Sequence, residues 1–312
     1  MSELSKYIDG PVRKLVELIP TEISPADQER HRLYCLLLMA MVAHNFCARA
    51  NSVDAPAGKE HGMNPLLPED HELAKRGQFL RRDYNGHNIA AFAVDRKGRI
   101  IDFDFNHNEL FNSSVEHAEA RLLNRLFKLS KIHDSWAIGP QPDEFPEENR
   151  YSKALRGVTV YTSLESCAQC SGIMTLGNVK EVVYLQDDPG QYKIGNIMYH
   201  LTNSSKPGPK QGAPRPIPAS LVGLAAFDQL NAAYNAYADK HRPGMTAFLC
   251  TDAAYKIFLD AERALVDFEV RYPGEPGDPC DQSAPLNNAG VKVECLSFYQ
   301  YVVDKGRRGT PH

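Results

Sequence analysis

Charge of either sign is in small excess: 35 Lys and Arg against 39 Asp and Glu leave a net −4 with a pI near 6.3. A balance of that kind gives no global pull toward nucleic acid, although a local basic patch can still exist. Long apolar runs are missing too. The longest, residues 33–43, is too short to span a bilayer and reads as a buried helix. Met1–Gly10 has neither a basic stretch nor an apolar core, so no secretory leader is expected and the expected location is cytoplasmic. Seven cysteines, an odd number at scattered positions, make a poor disulfide framework and fit a reducing compartment with one metal-binding pair. There is one tryptophan, Trp136, and no internal repeat. What remains is the composition of a globular chain, 43% hydrophobic and 24% charged, long enough at 312 residues for one large domain or two ordinary ones.

Periodicity places the elements. Ser24-Pro25-Ala26-Asp27 is a helix start, with Ser as N-cap and Pro in the first turn, and the helix is expected to run to about Ala50. Residues 55–69 read as a Pro/Gly-rich loop. A strand over 88–94 and a turn over 95–98 lead into a second strand over 99–105, whose alternation of apolar and acidic residues predicts one wet face. A helix opening at His117 carries Leu122, Leu123, Leu126, Phe127 and Leu129 at helical spacing. Residues 130–150 form a polar insertion. Strand 158–161, a helix from Cys167 to about Leu176 and strand 181–185 follow, an order that suggests a parallel pair with a crossover helix. Helical patterns return over 221–240 and 252–270.

Two short motifs carry chemistry. His117-Ala118-Glu119 opens one helix and Cys167-Ala168-Gln169-Cys170 opens another, directly after a strand. His-x-Glu followed by Cys-x-x-Cys is the signature of zinc-dependent base deaminases. Imidazole and thiolate suit Zn²⁺, and three protein ligands leave a fourth position for water, which separates a catalytic site from a closed structural one. With 11 histidines an accidental His-x-Glu is expected about once, and His107-Asn108-Glu109 is such a match. His117 is favoured because it opens a helix, whereas His107 follows a strand in a loop. Cys167 and Cys170, three apart, share a helix face. Two helix N-termini directed at one ion favour thiolates. Glu119 is then free of the metal for proton transfer as general acid and base.

Thr162–Met174 resembles the corresponding stretch of tRNA-adenosine deaminases and of related guanine and deoxycytidylate deaminases, members of the cytidine deaminase-like superfamily. The resemblance runs from the strand pair over 88–105 to the strand over 181–185. It implies a three-layer α/β/α sandwich around a mixed sheet of about five strands, with a helical extension over 1–83, a catalytic core over 84–240 and a second helical extension over 241–312. For the fifth strand both 215–220 and 245–250 qualify, and the prolines of the first suit only an edge. The resemblance also implies Zn²⁺ on His117, Cys167 and Cys170, Glu119 as the catalytic acid and base, and a substrate pocket bordered by Asn106 and the backbone at Ala118. The family usually has proline before the first cysteine. Here it is Ser166, which can cap the same turn and borders the base.

The expected activity is hydrolytic removal of the exocyclic amine of a nucleobase by way of a zinc-bound water. An adenine-type base is favoured, free, in a nucleoside or in an accessible loop or single strand; a cytosine, guanine or other amino-heterocycle is the alternative. A catalytically idle, zinc-stabilised scaffold is the competing class. Homo-oligomers are compatible with either reading, and no membrane partner is expected. Phe103, Phe105, Tyr192 and Tyr199 could stack on a base or fill the core; Lys206, Lys210 and Arg215 could meet phosphate or only solvent.

Overall fold

The computed structural model describes residues 22–49, 52–57, 59, 85–129, 155–190, 214–241, 244–274 and 284–305. The expected loop over 60–69, the insertion over 130–150, Trp136, Tyr192, Tyr199, Lys206 and Lys210 lie outside them.

Five strands form one sheet: β1 (Ala90–Val94), β2 (Ile100–Phe105), β3 (Thr159–Thr162), β4 (Glu181–Tyr184) and β5 (Arg215–Pro218), in the order β2-β1-β3-β4-β5. β1 pairs antiparallel with β2 and β3, while β3–β4 and β4–β5 are parallel, so the sheet is mixed as expected. Gly98, at φ +81°, closes the β1–β2 hairpin, and Asp95 Oδ1 accepts the amides of Lys97 and Arg99 there. The fifth strand is the proline-bearing candidate, at the margin where proline is tolerated. Arg215 donates its amide to Lys180 O, so alternation along the strand turns Pro216 and Pro218 to the open side. The rival segment is instead a short helix, Met245–Phe248.

Helix α1 (Pro25–His44) begins as the sequence predicts, with Ser24 Oγ accepting from the Asp27 amide. It stops at His44, short of the expected Ala50: Asn45 N makes the last ordinary helical bond, to Met41 O, the Asn45 side chain donates to that same carbonyl at 3.3 Å, and Phe46 N reaches back only to Ala43 O. From there the chain runs to Asn88, whose buried side chain bonds Cys47 N, Cys47 O and Leu249 O. From Leu33 to Val42 α1 is apolar all round and buried on one face of the sheet, where Tyr34 packs on Phe92 and Tyr161. The last helix, Asn288–Lys305, packs on that same face through Val291, Cys295, Phe298 and Val302. Phe103 and Phe105 are therefore core residues, not base-stacking ones. The single helix expected over 252–270 is two, Asp252–Leu259 and Ala261–Val266, interrupted at Asp260.

On the opposite face lie α2 (Ala118–Leu129) and α3 (Ala168–Leu176), packed on Ala91, Ala93, Val160 and Val182. α4 (Ala225–Ala238) follows β5. Helices on both faces of the sheet give the three layers predicted. One expectation fails here: β2 has no wet face. Asp102 and Asp104 are 0% and 1% exposed, beneath α2. Their cross-strand partners are Ala93 and Ala91, small enough to admit Arg125 from α2. Arg125 Nε reaches Asp102 Oδ2 at 2.6 Å and Nη1 reaches Asp104 Oδ2 at 2.8 Å, so the acids face a guanidinium instead of water. Each carboxylate also accepts the amide that follows it, Phe103 N and Phe105 N, at 2.8 Å.

Candidate metal centre

The site sits where α2 and α3 begin. β3 delivers the chain to Ser163, and the turn that follows presents Cys167 as the N-cap residue of α3, in extended conformation. Cys170, one turn on, is fully buried on the same face. Across from them His117 immediately precedes α2, and its carbonyl accepts the Arg121 amide. The two openings are stitched together by side chains: Gln169 Nε2 donates to Val115 O at 2.9 Å, and Ser166 Oγ donates to Glu119 Oε1 at 3.0 Å.

His117 Nδ1 lies 3.3 Å from Cys167 Sγ and 3.6 Å from Cys170 Sγ. Tetrahedral zinc with Zn–S of about 2.3 Å and Zn–N of about 2.0–2.1 Å requires N···S edges of ~3.6 Å. The three donor atoms therefore already stand at ligation spacing, all within 4.8 Å of one another. Among the described residues they are the only such group of histidine, cysteine and carboxylate side chains. One nitrogen and two sulfurs form a donor set that fits zinc and leaves one of four positions for a non-protein ligand. The rival His107 is fully buried and spends Nδ1 on Phe105 O at 2.7 Å.

Of the three donors, Cys167 alone is shifted toward its ligating form. The Cys167 thiol is pulled down to about 4, first by the hydrogen bond from Cys170 and then by His117 and the Cys170 amide at the helix opening. That same bond to Cys167, with burial, pushes Cys170 upward as its proton is the one retained. His117 is raised, chiefly by its contact with Cys167. Glu119, 4% exposed, is raised by desolvation. Its Oε2 lies 3.5 Å from Cys170 Sγ, so the carboxylate adjoins the ligand set without being needed in it.

The remaining predicted residues are placed less directly. Ala118, fully buried, is the first residue of α2. Asn106 follows β2, one hydrogen-bonded step from the site, since the next amide, His107 N, bonds Glu116 O beside His117. Its Oδ1 accepts the amides of His87 and Asn108, both at 3.1 Å, which leaves the side-chain NH₂ as its donor. Gly86 permits this packing, because a Cβ there would come within 2.4 Å of both Asn106 oxygens. Ser166 does not cap α3 as the sequence suggested: Cys167 holds the cap position and the serine hydroxyl is turned to Glu119.

Three parts of the surroundings were missed. His87 sits close enough to His117 to feel its charge, and burial lowers its imidazole to about 4. Arg121 pairs with Glu116 at 2.6 Å and with Asp104 at 3.4 Å. Arg125 binds both acids of β2. The signal for the last two was present as two arginines four apart on the helix that follows two acids two apart on the strand. For His87 the sequence holds none.

Comparison with known proteins agrees with this geometry. Residues 69–186 match the family model described as the cytidine and deoxycytidylate deaminase zinc-binding region. Among solved structures, a tRNA:A34 deaminase of A-to-I editing at the wobble position is similar at 20% identity, over 42% of this chain and 82% of that one, with a TM-score of 0.28. A guanine deaminase from Nitrosomonas europaea is similar at 16% identity, over 45% of this chain and 69% of that one, with a TM-score of 0.29. No described helix is long and apolar enough to cross a membrane. The segment of this chain that matches the cytidine and deoxycytidylate deaminase zinc-binding model contains all three candidate ligands and the buried glutamate.

Proposed function

We propose that this chain is a zinc-dependent hydrolytic deaminase that removes the exocyclic amine of a nucleobase. The observation that carries the reading is Glu119: a buried carboxylate held against a three-donor metal set that does not require it as a ligand. His117, Cys167 and Cys170 would hold the ion. Zinc, when bound, lowers the pKa of water toward about 7 and so supplies a nucleophile at neutral pH. Glu119 would accept one proton from the attacking water and deliver it to a ring nitrogen of the base, then carry the second, from the hydroxyl left on the ring carbon, to the amine that departs as ammonia, general acid/base work that contributes roughly 10²–10⁴-fold. Its raised affinity for a proton, caused by burial, suits a group that must both accept and return one.

Asn106, through its side-chain NH₂, and the backbone at Ala118 border the base, with Ser166 on the side of the cysteines. An adenine-type base is favoured by Leu164-Glu165-Ser166-Cys167 and the residues through Gly172, in a nucleoside or an unpaired nucleic-acid segment. Such a segment avoids the cost of flipping a base out of a duplex.

The test is ammonia release from a panel of nucleobases, nucleosides and structured RNA, with Glu119→Ala in parallel. At least one panel member is expected to yield ammonia at a rate that falls about 10²-fold or more in the variant, with zinc content unchanged. A zinc-replete protein that releases no Glu119-dependent ammonia from any of them refutes the assignment.

A further inference from the structure

We infer that Ser166 is a positioning residue, whose hydroxyl fixes the Glu119 carboxylate and assigns its two oxygens different tasks. The inference rests on the proposed deaminase reading for its catalytic meaning, but its geometry stands apart from it.

A serine hydroxyl has one proton to give, and Ser166 gives it to Glu119 Oε1 at 3.0 Å. The serine is itself held on every side. Ser171 Oγ donates to Ser166 O at 3.2 Å. The preceding residue is anchored by Glu165 N to Gln186 O at 2.8 Å and by Glu165 Oε2, which accepts the Asp188 amide at 3.0 Å. The following residue is the N-cap of α3 and a metal donor. With the backbone locked on both sides, Ser166 has little room to re-aim, and the hydroxyl acts as a fixed peg for a carboxylate borne by the opposite helix.

The other oxygen, Oε2, has Cys170 Sγ at 3.5 Å. A thiolate ligand has no proton to donate. With the metal bound, Oε1 keeps its donor and Oε2 is the oxygen that stays open to exchange protons. Without the hydroxyl, Oε1 loses its side-chain donor and the carboxylate is free to rotate about its last torsion, which is broad and two-fold. A proline at this position, the residue usual in the family, would stiffen the turn by its ring but offers no donor. This chain replaces ring rigidity with a hydrogen bond, and the bond reaches the group that moves the proton.

The test uses full-length, zinc-loaded protein with Ser166→Ala and Ser166→Thr. Crystal structures of wild type and S166A give the first readout, which needs no substrate. Glu119 Oε1 is expected within hydrogen-bond distance of Ser166 Oγ in wild type, and the carboxylate is expected rotated or split over two positions in S166A. An unchanged carboxylate in S166A, or no contact in zinc-loaded wild type, overturns the proposal. Zinc content should stay at the wild-type level in both variants; its loss would make Ser166 a support of the metal, not of Glu119. On whichever substrate gives Glu119-dependent ammonia, kcat should fall about tenfold in S166A with KM moved less than about twofold, and S166T should regain most of it. A change in KM alone would show Ser166 touching the substrate instead. If wild type releases no ammonia, the deaminase reading fails while the crystallographic comparison still decides the placement of Glu119.

Discussion

The buried charges under α2 make the sharpest stability prediction. Arg125→Met keeps the aliphatic bulk and removes the guanidinium that serves Asp102 and Asp104 at 2.6 and 2.8 Å. Both acids are at most 1% exposed, so the change strands carboxylates away from water. Removing one partner of a buried ion pair costs about 3–5 kcal/mol. The lower end applies, because Arg121 remains 3.4 Å from Asp104 and each carboxylate keeps its backbone amide. A loss of about 3 kcal/mol, or a Tm lower by roughly 6 °C, is expected in urea and thermal unfolding at pH 8 with zinc held constant.

The pH dependence adds a second check. Burial already raises Asp104 while Arg125 and Arg121 hold it back; without Arg125 it rises further above its unfolded value. The folded variant then binds more protons than the unfolded chain, so its stability is lost as pH rises and regained as pH falls. The deficit relative to wild type should therefore be smaller at pH 5.5 than at pH 8. Adding Asp102→Asn and Asp104→Asn to the variant should restore at least half of the loss, since the amides keep their acceptors and the charge is gone. A deficit under about 1 kcal/mol, or one that grows on acidification, would refute the reasoning.

Three further outcomes follow. His31, buried against the Tyr161 hydroxyl at 2.7 Å, is held by desolvation down to about 4. Its unfolded form binds the extra proton, so stability should fall as pH drops from about 6.5 toward 4. His31→Gln should lose about 2 kcal/mol less than wild type between pH 7.5 and 4.5, and parallel urea curves would count against it. Gly86→Ala should destabilise by about 1–3 kcal/mol and suppress ammonia release with zinc retained, because the methyl collides with Asn106; unaltered kinetics would remove Asn106 from the pocket. Chelation should lower stability by about 4 kcal/mol relative to zinc at a thousandfold excess over Kd, and Cys170→Ala should abolish that difference in a thermal melt.

The motif residues were legible because ligand chemistry imposes residue type and order on a short stretch of chain. His117, Cys167 and Cys170 had to open helices to converge, and they do. β5 was legible only in part: its prolines suited a margin, but 245–250 qualified equally until the fold made that segment a helix. The acids of β2 were misread because alternation reports that two faces differ, not that the polar one meets water. Their partner is twenty residues away on α2, and only the packing of helix on strand brings it over. The task of Ser166 was hidden for a related reason. A cap is a local property, whereas its bond to Glu119 spans two helices. The expected end of helix α1 overran the true one because no glycine or proline announces the stop at Asn45, whose side chain donates to Met41 O.

The two margins of the sheet are chemically finished in different ways. On β5 the outward positions are prolines, which carry no N–H. On β2 the outward amides of Phe103 and Phe105 are occupied by Asp102 and Asp104, and that of Ile100 by Glu294 at 3.0 Å. Among the described residues, neither border presents a ladder of donors on which a foreign strand could template itself, which disfavours growth into cross-β aggregates at these two edges.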